Sequence, residues 1–124
     1  MKNIITWFEI PATDVARAAK FYETVIQRKV NVMELGGITH AFFDHESGEV
    51  SGAIVKEEGL VPSKMGVLMY FDTDGKLDEY IARVEPAGGK IETARRLIAP
   101  EIGSMATFID TEGNRMAFYE SVKK

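Results

Sequence analysis

The sequence predicts an α+β protein in which two β-α-β-β-β modules pair into a curled eight-stranded sheet around a cavity. A strand, a helix and three further strands follow one another in about residues 3–57, and the same order returns in about residues 66–121. Each half contains one amphipathic helix, whose apolar face must be covered by a sheet. Each half is also only about 60 residues long, which is marginal for a unit on its own. We therefore expect one domain over residues 1–124, with residues 57–66 as a polar connector between its modules.

The first module opens with ITWFEIPA, residues 5–12, where β-branched and aromatic residues predict a strand. Thr13 or Asp14 then supplies the side-chain oxygen that caps the first N–H groups of a helix. Apolar residues recur through this helix at the spacing of one helical face: Val15, Ala18, Phe21, Tyr22, Val25 and Ile26. Three short strands follow, KVNVMEL, ITHAFFD and VSGAIVK, separated by Gly-Gly and by HESGE.

The second module repeats these elements. GVLMYFD, residues 66–72, predicts a strand, and Asp74 is the expected cap of the next helix. The apolar face of that helix consists of Leu77, Tyr80, Ile81 and Val84, and Pro86 ends it. KIETARRLI, SMATFID and RMAFYES are the last three strands. The turn DTEGN, residues 110–114, joins the last two as a β-hairpin, because Gly113 can adopt a positive φ.

Composition limits the classes of partner. The net charge of −4 and the scattered lysines and arginines argue against nucleic-acid backbones and anionic membranes. No apolar run approaches the ~20 residues of a membrane-spanning helix, and the N-terminus lacks the apolar core of a signal peptide. The expected location is therefore cytoplasmic. Because the chain has no cysteine, a disulfide framework, a thiolate metal site and a cysteine nucleophile are excluded.

Three segments carry a resemblance to a known family: FEIPATDVARAAKFYETVI, YFDTDGKLDEYIARVEPAGGKI and APEIGSMATFIDTEGNRMAFYE. With the duplicated order of elements, they resemble the vicinal oxygen chelate superfamily, which includes glyoxalase I, extradiol dioxygenases and bleomycin resistance proteins. The resemblance covers about residues 3–121 and extends to short, single-chain glyoxalase-like proteins. It implies the glyoxalase/bleomycin resistance/dioxygenase fold and a homodimer.

Enzymes of this superfamily hold a divalent metal ion with side chains on the inward faces of four strands, two from each half. The positions that match here are Trp7, Gly52, Leu68 and Ala117. None of these side chains has a lone pair suited to a divalent cation. A shift of one residue in the matching brings in Ser51, Ala53, Val67 or Met69 instead. Glu9 alone shares the inward parity of Trp7, and one carboxylate does not hold a metal, so the resemblance implies a member without metal or cofactor.

Aromatic residues dominate the set that we expect to line the cavity: Trp7, Phe42, Leu68, Tyr70 and Tyr119. An aromatic lining with a few polar groups suits a small planar or amphiphilic ligand. The alternative is that these side chains close the cavity on themselves. His40 shares the parity of Phe42 and is either a lone donor or base in the cavity or a packing histidine.

Glu9 and Arg115 also have inward parity on this alignment, and they come from the first and last strands. One interpretation is a Glu–Arg pair on the cavity wall that orients polar ligands. The other is a structural ion pair between two half-buried charges.

Three functions follow as hypotheses. The first is metal-free binding of a small organic ligand in the aromatic cavity. The second is a lyase or isomerase of the glyoxalase I type, against which the missing metal ligands count heavily. The third is sequestration of an antibiotic, as in bleomycin resistance proteins, which hold a cationic drug in an acidic cleft. The net negative charge is compatible with the third, and a non-catalytic function is favoured over any enzyme.

Overall fold

The order of strand, helix and three strands occurs twice in the computed structural model, which describes residues 3–122. These residues fall into two compact units, one ending at Pro62 and the other beginning at Ser63. The first unit contains β1 (Trp7–Pro11), α1 (Val15–Ile26), β2 (Val30–Leu35), β3 (Ile38–Phe43) and β4 (Ser51–Lys56). The second contains β5 (Tyr70–Asp72), α2 (Leu77–Val84), β6 (Lys90–Ala99), β7 (Gly103–Ile109) and β8 (Arg115–Ser121).

Both units have the same sheet topology, which confirms the α+β class and the internal repeat. The first sheet has the order β1-β4-β3-β2 and the second has the order β5-β8-β7-β6. In each, the first strand runs parallel to the last, and the remaining pairs are antiparallel. Within residues 3–122, no helix has the length and apolar character required to cross a membrane.

Helix α1 forms as the sequence predicts. The carboxylate of Asp14 accepts a hydrogen bond of 3.0 Å from the backbone N–H of Arg17, which satisfies one of the otherwise unpaired donors of the first turn. Its apolar face is buried against the first sheet, where Tyr22 meets Phe43 edge-on with ring centroids 5.8 Å apart. The core of the unit therefore lies between α1 and one face of this sheet.

Helix α2 is capped differently from the prediction. Asp74 is not the cap; it has a positive φ of 53° and precedes the N-cap position, which is Lys76. The acceptor for the first helical N–H group comes from β8 instead, because Glu120 Oε1 accepts from the backbone N–H of Leu77 at 3.0 Å. The other oxygen of Glu120 accepts from Arg95 Nη2 at 2.7 Å. A single carboxylate thus joins the helix start to two strands of the second sheet.

The predicted hairpin at residues 110–114 is confirmed, and its motif has a structural role. Asp110 is buried, and its Oδ1 accepts from the backbone N–H groups of Glu112 and Asn114 at 2.8 and 3.0 Å. Its Oδ2 accepts from the Asn114 side-chain amide at 3.0 Å, while the amide oxygen accepts from the backbone N–H of Ser63 at 3.1 Å. Gly113 has the expected positive φ, 98°. The turn therefore fixes both the hairpin and the start of the second unit.

Strand β5 is shorter than predicted. It begins at Tyr70 rather than at residue 66, because Gly66 has a φ of 94° and the segment before it is attached to β8. The carbonyl of Ser63 accepts from the backbone N–H of Arg115 at 3.3 Å, and the Lys64 carbonyl accepts from its guanidinium Nη1 at 3.0 Å. Leu68 consequently lies before the strand and is partly buried.

Candidate ligand-binding face

The strand registers decide which side chains share the sheet face turned away from α1, called here the first distal face. The Phe8 ring packs on Phe43 with centroids 5.8 Å apart, on the α1 side of the sheet. Because side chains alternate along a strand, the neighbours of Phe8 lie on the other side. The residues of this face that matter below are Trp7, Glu9, His40, Phe42, Ser51 and Ala53.

Three rings form a continuous row on the first distal face. The centroids of Trp7 and Phe42 are 6.0 Å apart with the rings tilted by 50°, and Phe42 stacks on His40 at 5.2 Å with an interplanar angle of 1°. Trp7 is 41% exposed. The structure thus brings together three of the residues that the sequence predicts as cavity lining.

Ala53 explains how rings from β1 and β3 can meet. Strand β4 lies between these two strands, so their backbones are separated by about 9.6 Å, twice the usual spacing. Ala53 pairs with Glu9 on one side and with Phe42 on the other, and it is fully buried. Its methyl group leaves room for the flanking rings to approach each other above the central strand. This role of Ala53 was not predicted from the sequence, where the residue entered only as a shifted metal position.

Two polar groups accompany the rings. His40 Nδ1 lies 3.0 Å from the carbonyl oxygen of Ile38. A carbonyl can only accept, so Nδ1 carries a proton, and Nε2 is the ring nitrogen left to contact a ligand. Glu9 is exposed and follows Trp7 by two residues on the same face. Across residues 3–122, neither Glu9 nor His40 Nε2 has a hydrogen-bond or ion-pair partner.

The prediction that Gly52 lies on the inward face is wrong. Gly52 pairs with Phe8, and a Cβ added to it would lie 2.6 Å from the Phe8 ring, on the α1 side of the sheet. The count from Gly48 is off by one residue because β4 begins only at Ser51, after an irregular loop. The residue on the distal face that corresponds to Ala117 is Ala53, since each pairs with the first strand of its own sheet.

The corresponding face of the second sheet, called here the second distal face, carries Tyr70, Arg115, Ala117 and Tyr119. Phe118 packs on Phe108 at 4.5 Å and meets Tyr80 of α2 edge-on, so its neighbours on β8 point away from that helix. Tyr70 pairs with Ala117 and is 48% exposed. Tyr119 donates its hydroxyl to the Ile102 carbonyl at 2.8 Å.

Within its own sheet Arg115 binds Glu92, and the Glu9–Arg115 pair stays a prediction. Nε donates to Oε1 at 2.7 Å and Nη2 donates to Oε2 at 2.8 Å, which is a two-pronged charge-assisted contact. Hydrogen bonding to Arg115 lowers the pKa of Glu92, and the same contact raises the pKa of Arg115. Thr107 of the intervening strand β7 also donates to Glu92 at 3.3 Å. Glu92 was not predicted as a partner, because it lies on an irregular part of β6 where the alternation of side chains is interrupted.

The residues that the sequence matches to the metal-binding positions of the superfamily, with Ala53 in place of Gly52, are Trp7, Ala53, Leu68 and Ala117. They present an indole, two methyl groups and a leucyl side chain. Structural and catalytic sites need thiolate, imidazole or oxygen donors. In the described part of the chain, no group of three His, Asp or Glu residues is arranged to hold a metal ion.

Comparison with known proteins defines the class. The family model of the Glyoxalase/Bleomycin resistance protein/Dioxygenase superfamily matches residues 4–118, and the chain therefore belongs to that superfamily. A "Glyoxylase-like domain-containing protein" of Didymella fabae is 34% identical over 118 residues, covering 91% of this chain and 90% of its own.

Solved structures share the fold at low sequence identity. A glyoxylase/bleomycin resistance protein/dioxygenase domain of Frankia sp. EAN1pec has a TM-score of 0.76 at 15% identity, covering 98% of this chain and 99% of its own. The genomically encoded fosfomycin resistance protein FosX of Listeria monocytogenes has a TM-score of 0.72 at 14% identity, covering 99% and 97%. At these identities the likeness concerns the fold alone.

Proposed function

We propose that this chain binds a small organic ligand on the first distal face, through its aromatic row and without a metal ion. The observation that carries the proposal is the row of Trp7, Phe42 and His40 above the methyl group of Ala53. Such rings offer large, rigid apolar surfaces to a planar molecule. The remaining polar groups, Glu9 and His40 Nε2, are free to fix its orientation.

The size of the aromatic contribution can be judged from Trp7. Its exposed fraction of 41% corresponds to about 100 Å² of a side chain of roughly 250 Å². Covering that surface with a ligand contributes about 2.5 kcal/mol at the usual 25 cal/mol per Å². Covering the Phe42 ring adds a similar amount, and because association itself costs at least about 4 kcal/mol, contacts to the polar groups of the face must supply the rest of the binding free energy.

The residues of the second distal face have a smaller proposed role. Tyr70 remains a proposed ligand contact because nearly half of its surface is exposed. Arg115 and Tyr119 use their polar atoms within their own sheet, so we assign them to shaping the lining, together with Leu68. The homodimer also stays a proposal, and light scattering tests it, since a dimer has twice the chain mass of 13.8 kDa.

The proposed binding can be tested through Trp7, the sole tryptophan of the chain. A library of metabolites is screened by Trp7 fluorescence, and hits are followed by the indole N–H signal in ¹⁵N NMR spectra. We expect a saturable change that Phe42→Leu weakens at least fivefold. Leu97→Ala is the matched control, because it truncates an apolar side chain that is exposed on β6. A flat response across the library, or equal loss in both variants, would reject the proposal.

A lyase or isomerase of the glyoxalase I type is the alternative in the enzyme class. The donor-free side chains at the metal-binding positions of the superfamily argue against it. Metal analysis of the purified protein and an assay with methylglyoxal and glutathione test it. Stoichiometric zinc or nickel together with turnover would replace the binding proposal.

Sequestration of an antibiotic is the other alternative. It is supported by the family, which includes bleomycin resistance proteins, and by the fold shared with a fosfomycin resistance protein. Overexpression in sensitive cells tests it against both drugs. An increase in resistance that Phe42→Leu abolishes would identify an antibiotic as the ligand of the same face.

A further inference from the structure

We infer that the ligand of the first distal face is an organic cation, a protonated or quaternary amine carried on a planar apolar group. The inference rests on the proposed function and adds the chemical class of the ligand. It follows from the groups that the face presents: aromatic π faces, the Glu9 carboxylate, the His40 ring and the Asn31 amide, with no lysine or arginine among its strand positions.

The rings and the carboxylate are neighbours in the sheet. Glu9 follows Trp7 by two residues, a separation of about 7 Å along one face of a strand. Glu9 also pairs with Ala53 on β4, and Ala53 pairs in turn with Phe42 on β3, so the three residues lie side by side across the sheet. A ligand stacked on Trp7 and Phe42 can therefore place a charged group within reach of the Glu9 carboxylate. A cation there gains both from the carboxylate and from the negative faces of the rings.

The other polar groups on this face also favour a cation. In the tautomer with Nδ1 protonated, His40 Nε2 is an acceptor, which suits the N–H of a protonated amine. Among the strand positions that the registers of β1 to β4 assign to the first distal face, none is lysine or arginine. An anionic ligand would meet the Glu9 carboxylate without a compensating positive charge from these strands.

The second distal face provides a contrast, because its carboxylate, Glu92, is paired within its own sheet. There Glu92 is held by two short hydrogen bonds from Arg115 and accepts a third from Thr107. Glu9 has no such partner in the part of the chain that the structure describes. The Glu92 carboxylate is thus paired within its own sheet, whereas the Glu9 carboxylate is available to a ligand.

Three probes with a common benzyl group and different charges test the inference: benzylammonium, benzyl alcohol and phenylacetate. Each is titrated into ¹⁵N-labelled protein at millimolar concentration, and the Trp7 indole N–H signal reports binding. We expect benzylammonium to bind about tenfold more tightly than benzyl alcohol, and phenylacetate to bind more weakly than either. Glu9→Gln keeps the size of the side chain and should reduce the tenfold ratio to about twofold or less. Glu101→Gln removes the same charge from an exposed turn of the second unit and should leave the ratio unchanged.

The outcomes separate this inference from the proposed function. Equal binding of benzylammonium and benzyl alcohol, or a tenfold ratio that survives Glu9→Gln, overturns the cation inference and leaves the binding proposal intact. Failure of all three probes to shift the indole signal also overturns the cation inference, while the metabolite library decides the proposed function separately. Tighter binding of phenylacetate would reverse the assigned charge of the ligand.

Discussion

Replacing Glu120 tests how the second module is held together. The carboxylate caps the buried N–H of Leu77 and binds Arg95, and Arg95 also contacts Asp78 at 3.2 Å. Loss of the helix cap leaves the N–H of the fully buried Leu77 without an acceptor, which costs about 1.5 kcal/mol. The Arg95 side chain is 41% exposed, so solvent limits that ion pair to a few tenths of a kcal/mol. Glu120→Ala should therefore lower the free energy of unfolding by about 2 kcal/mol.

Urea denaturation followed by circular dichroism measures this loss, and Glu120→Gln is its matched control. The glutamine keeps an oxygen that can accept from Leu77 but carries no charge for Arg95, so it should lose only about 0.5 kcal/mol. In a thermal scan the alanine variant should melt about 8 °C lower than the wild type. A loss below about 0.5 kcal/mol in the alanine variant, or equal losses in the two variants, would show that Glu120 is not the cap of α2 in solution.

Three further substitutions test the hairpin, the ion pair and the register. Asp110→Ala removes the acceptor of several buried hydrogen bonds and should cost about 3 kcal/mol in urea denaturation; a loss under about 1 kcal/mol would contradict the role of this turn. Because Arg115 lowers the pKa of Glu92, the folded state gains stability at pH values above the ordinary value of 4.5 and loses it as the pH falls below that value. Glu92→Gln should flatten this acid dependence in denaturation series between pH 3 and 6, and an unchanged slope would refute it. Gly52→Ala should destabilise the protein by about 2 kcal/mol because the new methyl group meets both the carbonyl oxygen and the ring of Phe8; a neutral Gly52→Ala would show that the register of β1 and β4 is different.

Local sequence patterns predicted most of the fold because they act over a few residues. The cap at Asp14 lies three residues from its donor, and the apolar spacing of α1 follows directly from helical periodicity. The duplicated order of elements then made the repeat visible without any structural information. Those parts of the fold depend on interactions between residues that are close to one another in the sequence.

The errors concern interactions between distant parts of the chain. The cap of α2 is Glu120, which lies 43 residues beyond Leu77, the residue whose N–H donates to it. Asp74 is a plausible acceptor close to the helix start, so the local sequence favoured the wrong cap. The partner of Arg115 lies two strands away in the same sheet, and the bulges of β6 hide the parity of Glu92. Neither pairing leaves a local signal in the sequence.

The candidate site was predicted in part. Alternation of side chains along a strand predicts that Trp7 and Glu9 share a face, as do His40 and Phe42. The strand registers place both pairs on the same face of the sheet. The count that led to Gly52 failed because it assumed the same loop length in both modules, although the loop before β4 is irregular. The role of Ala53 depends on which strands flank β4, and strand order cannot be deduced from alternation along one strand.

A crystal structure with a bound ligand from the metabolite screen tests the central claim most directly. We predict that the planar part of the ligand stacks against Trp7 and Phe42 above Ala53, with a polar group directed to Glu9 and no metal ion in contact with it. A ligand coordinated through a divalent ion, or one bound to a different surface while the Trp7 and Phe42 rings stay uncovered, would contradict the account.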